Sequence, residues 1–266
     1  MAAATALGAT GAAFGNVFSY EATLFPEQAG WTISQNFCNP MLWLDAGWFY
    51  QHVELCDGYP PPGGQTASYR RSLADFDGAP TFFVEFRMMT DAPRSEIPWG
   101  GGAALAVAND VGVRYTFFIA RDQAKMNRDN ALPIVFVDLA PGPHTHRLEL
   151  VGAQSYTWFV DGLVIDSGIP EGVLTTQNPR ITWLAKAAWV ANTTKWDYIR
   201  YGTIPRDGSG DYDSNGVVDA TDVYFFLDCL LGPDANGPGC RWADMNSDGK
   251  VNGDDIQPFA AALVGP

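Results

Sequence analysis

A doubled pattern of acids, amides and glycine constrains this chain more than anything else in it. The pattern fills two twelve-residue stretches, 211–222 and 244–255. Asp211, Asp213, Asn215, Asp219 and Asp222 stand at positions 1, 3, 5, 9 and 12 of the first stretch. Asp244, Asn246, Asp248, Asn252 and Asp255 stand at the same positions of the second, and Gly216 and Gly249 both fall at position 6. Alternate side chains of a tight loop converge on one centre, glycine permits the sharp turn, and position 7 (Val217, Lys250) supplies a backbone carbonyl. Ca²⁺ takes about 6–8 such oxygens at roughly 2.3–2.6 Å. The spacing therefore predicts two Ca²⁺ sites. The second is expected to be the weaker, since it offers three carboxylates where the first offers four.

The repeat runs past the ligands. Apolar residues follow at helical spacing: Val223, Phe226, Leu227 and Leu230 after the first loop, Ile256, Phe259, Ala260 and Leu263 after the second. Val218 and Val251, both at position 8, are expected to join the loops as a short strand pair. No helical pattern precedes the first loop, where 201–210 reads YGTIPRDGSG, and position 12 is Asp where an ordinary EF-hand has Glu. A duplicated loop–helix unit of this kind resembles the type I dockerin, the module that docks onto cohesins. The resemblance implies a calcium-folded docking module and a cohesin-like or other protein partner, or self-association. Positions 10 and 11, on which partner choice leans in that family, read Ala220-Thr221 and Gly253-Asp254 rather than the common Ser/Thr pair.

Charge is concentrated in the same place. Residues 206–266 hold eleven Asp against Arg206, Arg241 and Lys250, the larger part of a net charge of −14. Self-repulsion of that kind predicts folding coupled to metal binding. An acidic chain without basic runs argues against nucleic acid and anionic membranes as partners. The four cysteines fall in two close pairs, Cys38 with Cys56 and Cys229 with Cys240, with no CxxC or Cys/His cluster to suggest zinc. Two local disulfides and an extracellular or cell-surface location are expected. Residues 1–13, rich in Ala and Gly, read as a flexible or processed terminus resembling the end of a signal peptide. No stretch approaches the length of a transmembrane helix.

Residues 14–204 show about thirteen short alternating or aromatic-rich runs separated by turn residues and no helical periodicity. They include TFFVEFRM (81–88), VRYTFFIA (113–120), HRLELV (146–151), YTWFVD (156–161) and WDYIRYG (196–202). Asp161-Gly162 between apolar runs predicts a two-residue hairpin. The series predicts a mainly β chain, an antiparallel two-sheet sandwich, followed by a small α-helical calcium-binding domain over 205–266. The xLxL strand, the YxWFVDGxxV hairpin and the closing WDYIRYG strand resemble the concanavalin A-like jelly roll in its laminin-G-like and glucanase-like branches.

Glucanases of that fold carry a Glu-x-Asp-x-x-Glu strand with a retaining carboxylate pair. Here FFVEFRMMTD offers Glu85, but Arg87 stands where an acid is required. His144 and His146 are read as solvent-facing positions at the start of a strand, and His52, two residues before Glu54, as a polar outward one. No catalytic residue is assigned. Trp48 and Trp99 are the candidate sugar-stacking aromatics, while Trp158, Trp183 and Trp196 are expected in the core. The sequence thus favours a lectin-like sandwich binding a polysaccharide or cell-surface glycan, carried beside a docking module. The alternatives are a glycoside hydrolase or polysaccharide lyase, and a structural subunit of a surface assembly or filament.

Overall fold

The computed structural model describes residues 17–56, 65–73, 82–95, 101–108, 114–128, 135–151, 155–169, 180–204, 207–213, 217–232 and 238–264. The chain divides into two compact units, one built on Ser19–Ile204 and the other on the residues that follow.

The first unit is a jelly-roll-like sandwich of two antiparallel sheets. In chain order its strands are β1 (Val17–Glu21), β2 (Thr32–Phe37), β3 (Met41–Asp45), β4 (Trp48–Val53), β5 (Thr66–Ser72), β6 (Phe82–Thr90), β7 (Gly102–Ala108) and β8 (Arg114–Ala120). Then come β9 (Gln123–Arg128), β10 (Val135–Asp138), β11 (His144–Val151), β12 (Ser155–Val160), β13 (Leu163–Gly168), β14 (Arg180–Lys186) and β15 (Asn192–Gly202). One sheet runs β13-β12-β11-β6-β15-β4-β3, with β1 also paired to β15; the other runs β10-β9-β8-β7-β14-β5-β2.

Strict alternation builds both faces. In β14, Ile181, Trp183 and Ala185 are buried while Arg180, Thr182, Leu184 and Lys186 face away from the core. Trp183 is the hub of that core. Its ring meets Tyr20, Trp31, Phe49, Tyr69 and Trp196 at centroid distances of 4.8–5.8 Å, mostly edge-on. Such edge and offset contacts are the favoured aromatic geometries. Trp158, Trp183 and Trp196 are all fully buried, as expected of them. Trp196 Nε1 donates to Gln51 Oε1 at 2.7 Å, and Gln51 Nε2 donates to the Ala67 carbonyl at 3.2 Å. This chain of bonds satisfies a buried amide in an apolar setting.

Two strands escape the sequence reading. β3 and β4 form a hairpin across Ala46-Gly47, whose φ angles of 49° and 79° are the left-handed pair of a two-residue turn. β9 pairs with β8 across Arg121-Asp122. The Asp161-Gly162 hairpin forms as expected, with φ of 48° and 77°. Cys38 and Cys56 are joined, Cα to Cα 6.1 Å, beside the β3–β4 hairpin.

His146 departs from its expected exposed position. It pairs with Phe86 of β6 and Val160 of β12, and it is fully buried. Its ring stacks on Phe86 at 5.1 Å and on Trp158 at 6.3 Å, and neither ring nitrogen has a hydrogen-bond partner. Burial foremost, with the neighbouring His144 adding to it, pulls its pKa from 6.5 to about 3. His144 instead shares its nitrogens between Asp161 Oδ2, at 2.5 Å, and the Ala140 carbonyl, at 2.6 Å.

The second unit carries two helices, α1 (Ala220–Leu231) and α2 (Ile256–Val264), the latter preceded by a 3₁₀ turn at Gly253–Asp255. Phe226 and Phe259 stack face to face at 4.0 Å, and Trp242 and Tyr212 complete a small aromatic core. Cys229 and Cys240 are bonded, Cα to Cα 5.5 Å. Neither Val218 nor Val251, expected as a strand pair, lies in a strand. The two loops are instead tied at their starts, where Gly208 N donates to Arg241 O and Gly210 N to Trp242 O, both at 3.0 Å. Gly210 has a φ of 70°, and a Cβ there would meet Met245 Sδ at 3.0 Å. None of the described helices is long and apolar enough to cross a membrane.

Candidate metal centre and ligand groove

Each acidic loop ends by capping its own helix. Asp219 accepts from Thr221 N at 2.7 Å, and Asp222 Oδ2 accepts from Asp219 N at 2.8 Å, so positions 9 and 12 close a reciprocal box. Asn252 and Asp255 repeat it: Asp254 N donates to Asn252 Oδ1 at 2.8 Å and Asn252 N to Asp255 Oδ2 at 2.9 Å. Such boxes satisfy backbone donors that a helix start leaves open. Position 12 also reaches back across its loop, as Tyr212 N donates to Asp222 Oδ1 at 2.8 Å and Asn246 N to Asp255 Oδ1 at 3.2 Å. One carboxylate thereby fixes both the loop's closure and the helix it begins.

In the first loop Asp211, Asp213 and Asp222 each offer a carboxylate oxygen, and these oxygens all lie within 4.8 Å of one another. Asp213 and Asp222 are buried. Burial, the largest cause, raises the Asp222 pKa, against the pull of the backbone N–H groups of Asp219, Tyr212 and Asp213. Three converging carboxylates are the donor set a hard divalent cation requires, and the arrangement fits Ca²⁺. Asp219 adds a further acid at the helix cap, and Val217 stands at position 7. Asn215 lies outside the described residues.

The second loop has the same register but a looser gathering. Asp244 accepts from Asp248 N at 3.1 Å and from Gly249 N at 2.8 Å, and Asp248 accepts from Lys250 N at 2.9 Å. Asn246 contributes its Oδ1 to Asp248 N at 2.9 Å. Asp244, Asp248 and Asp255 do not form the mutual cluster that the first loop forms.

With that geometry in place the comparison with known families is decisive for this segment. Residues 209–262 match the dockerin type I domain. Dockerin type I domains bind calcium and act in protein docking. No curated protein matches the chain. Three solved structures show how the fold compares. A β-1,3-1,4-glucanase from a mouse hindgut metagenome is 11% identical, with 71% of this chain and 100% of that one covered and a TM-score of 0.49. The β-glucanase of Bacillus licheniformis is 13% identical, with 71% and 99% covered and a TM-score of 0.48. A botulinum neurotoxin type C structure is 8% identical with a TM-score of 0.43; 65% of this chain matches 43% of it, so the chain spans under half its length.

The disulfide of the dockerin segment gives a direct test of how the two loop–helix units hold together. Cys229 and Cys240 are 11 residues apart. Closing a loop of that order stabilises by about 3 kcal/mol through the unfolded chain. The Cys229→Ala/Cys240→Ala variant is expected to lose about that much in denaturant unfolding of the Ca²⁺-loaded segment, and an unchanged midpoint would contradict a clasping role.

The sandwich presents two chemically different outer faces. On the eight-stranded sheet Trp43 stacks on Tyr50 at 4.7 Å, Lys195 lies 5.0 Å over Tyr50, and Trp48 lies beneath Arg87 at 5.7 Å. Arg87 is held by Asp197 at 2.8 Å. The Trp48 ring is therefore half-buried under a cation, and the more open ring is that of Trp43. Trp99 lies outside the described residues. His52 pairs with Thr193 Oγ1 at 3.0 Å and Glu54 at 3.4 Å. Glu85 is engaged by Arg147 at 3.1 Å and by Tyr198 at 3.2 Å.

The other face, on the seven-stranded sheet, holds a groove of about 410 Å³ that the sequence reading missed. Its floor is Ala104 and Ala106, whose small side chains leave the space. Thr66, Thr116 and Thr182 line it with hydroxyls, Phe118 and Leu184 with apolar surface, and Arg114, Lys186 and Asn127 with polar heads. Lys125, paired with Phe118 across β8 and β9, lies with its Nζ 4.8 Å from the Phe118 ring. The signal is that the outward charges on six of this sheet's seven strands are all basic, Asp138 of β10 being the exception, which becomes visible only once strands are assigned to sheets.

Proposed function

We propose that this is a secreted, calcium-dependent docking protein whose sandwich (14–204) holds a polysaccharide or cell-surface glycan and whose dockerin module (205–266) attaches it to a cohesin-like partner. The observation that carries the docking half is the convergence of Asp211, Asp213 and Asp222 inside the segment that matches the dockerin type I domain. Ca²⁺ occupies two sites, one per loop. Each is held by side chains at positions 1, 3, 5, 9 and 12 with the carbonyl of Val217 or Lys250. Bound there, the ion neutralises the carboxylates and fixes the entry to each helix.

The helices supply a surface for the partner. Tyr224, Leu227 and Leu231 of α1 and Ile256, Leu263 and Val264 of α2 are exposed, with Leu231 and Val264 at 79% and 83%. Exposed apolar side chains gathered on a small module mark a protein-binding surface. Two disulfides support an oxidising, extracellular setting. In the sandwich, the groove on the seven-stranded sheet is the ligand site, with its hydroxyl-rich walls and single apolar ring suited to sugar.

Capture of the full chain by a panel of immobilised cohesins, with Ca²⁺ and with EDTA, tests the docking half. Capture in Ca²⁺ that is abolished by EDTA is expected. Capture equal under both conditions, or by none of the panel in Ca²⁺, sinks it.

A further inference from the structure

The groove stands out by sign of charge. Six adjacent strands, β2, β5, β14, β7, β8 and β9, contain none of the chain's thirty acidic residues. Their outward positions instead carry Arg70, Arg114, Lys125, Arg180 and Lys186, in a chain whose net charge is −14. A cationic face on so acidic a molecule is local in purpose, because the molecule as a whole repels anions.

Two groups in this face lack partners that their chemistry requires. Lys125 is 8% exposed, and no carboxylate among the described residues lies within ion-pair distance of it. Burying an ammonium is costly unless an anion meets it, and the Phe118 ring offsets only part of that cost. Asn127 Oδ1 is buried without a donor.

We infer that the groove binds a polysaccharide that carries carboxylates, a polyuronate. Lys186 in the lining and Lys125 beside it, over the Phe118 ring, meet its carboxylates, and Thr66, Thr116 and Thr182 bond its hydroxyls. A polyuronate matches both features at once, with an anion on each sugar for the cations and hydroxyls between them for the threonines. A single-stranded nucleic acid would also supply anions, but it needs a platform for its bases, and the ring lining the groove, Phe118, already faces Lys125. This assignment rests on the reading of the groove as the glycan site and adds the class of glycan.

The test is calorimetry on the full Ca²⁺-loaded chain with short soluble oligouronates, with dextran sulfate and with a neutral β-glucan. Oligouronate binding that weakens with salt is expected, and Lys125→Gln/Lys186→Gln should weaken it by roughly tenfold or more, the scale of lost charged hydrogen bonds. Arg94→Gln, which removes a charge from outside the groove, should leave it unchanged. Binding of the neutral glucan but not the oligouronate overturns the anionic assignment and leaves the glycan reading standing. Binding of none of the three overturns both. Preference for dextran sulfate, or oligouronate binding that the double variant retains, overturns the carboxylate assignment or its placement in this groove.

Discussion

Chelation of Ca²⁺ is expected to unfold the C-terminal module and leave the sandwich folded. Circular dichroism in EDTA should lose most of the helical signal, while the near-ultraviolet signal of the sandwich tryptophans persists. The reason lies in what holds the module together. Its aromatic core is small, built on Phe226, Phe259, Trp242 and Tyr212. It must also gather Asp211, Asp213 and Asp222 within 4.8 Å of one another. Without a cation those charges oppose folding, and with one they become its ligands. At free Ca²⁺ a thousandfold above Kd, one site stabilises the folded state by about 4 kcal/mol, a large share of what a domain this small can hold. Titration should therefore show two Ca²⁺ per chain, the first loop binding more tightly. Asp222→Ala should abolish that tighter event, because it removes a ligand, the acceptor for Tyr212 N and half of the cap box together. Asp255→Ala should abolish the weaker one. A module that stays helical in EDTA, with no rise in melting temperature on adding Ca²⁺, would end this account.

The convergence of Asp211, Asp213 and Asp222 was legible in the sequence because it is written in spacing. A register of 1, 3, 5, 9 and 12 depends on local chain geometry alone, and the Asp222 and Asp255 boxes are likewise local. Most strands were legible for the same reason: alternation is a two-residue rule, and Asp161-Gly162 declares its turn. The β3–β4 hairpin was missed because Ala46 occupies a left-handed position usually taken by Asn, Asp or Gly. β9 was missed because QAKMNR lacks the β-branched and aromatic residues that announce a strand, and its place is set by pairing to β8. Trp242 does not belong to the helical repeat, so its burial beside Tyr212 had no periodic signature. The groove is further still from the sequence. Lys125, Arg114 and Lys186 come from three strands that are apart in the chain, and only sheet order brings their outward positions onto one face. What sequence could not supply is non-local pairing, and both the groove and the true environment of His146 depend on it.

His146 leads to the second large effect, an acid sensitivity of the sandwich. Its ring is sealed between Phe86 and Trp158 with both nitrogens unpartnered, and its pKa falls from 6.5 to about 3. Burial is the main cause, and His144 adds to it while Asp161 acts against it. A pKa lowered by folding means that the unfolded chain takes up the proton first as pH falls. The contribution is complete above about pH 6.5 and is lost progressively as pH drops from there towards 3, at about 1.4 kcal/mol per pH unit in the middle of that window. Between pH 7 and pH 4.5 this amounts to roughly 3 kcal/mol. That range stays above the ordinary carboxylate pKa, so most acids keep their charge throughout it. His146→Phe keeps a planar ring against Phe86 and Trp158 and removes the titration. Urea unfolding of the sandwich should therefore show a steep loss of stability on acidification in the parent chain and a nearly flat profile in His146→Phe, with His146→Leu equally flat even if less stable. His144→Gln, which removes a neighbour's charge but leaves the buried ring, should preserve most of the slope. Parent and His146→Phe profiles that run parallel from pH 7 to pH 4.5 would show that the buried imidazole is not what makes the fold sensitive to acid.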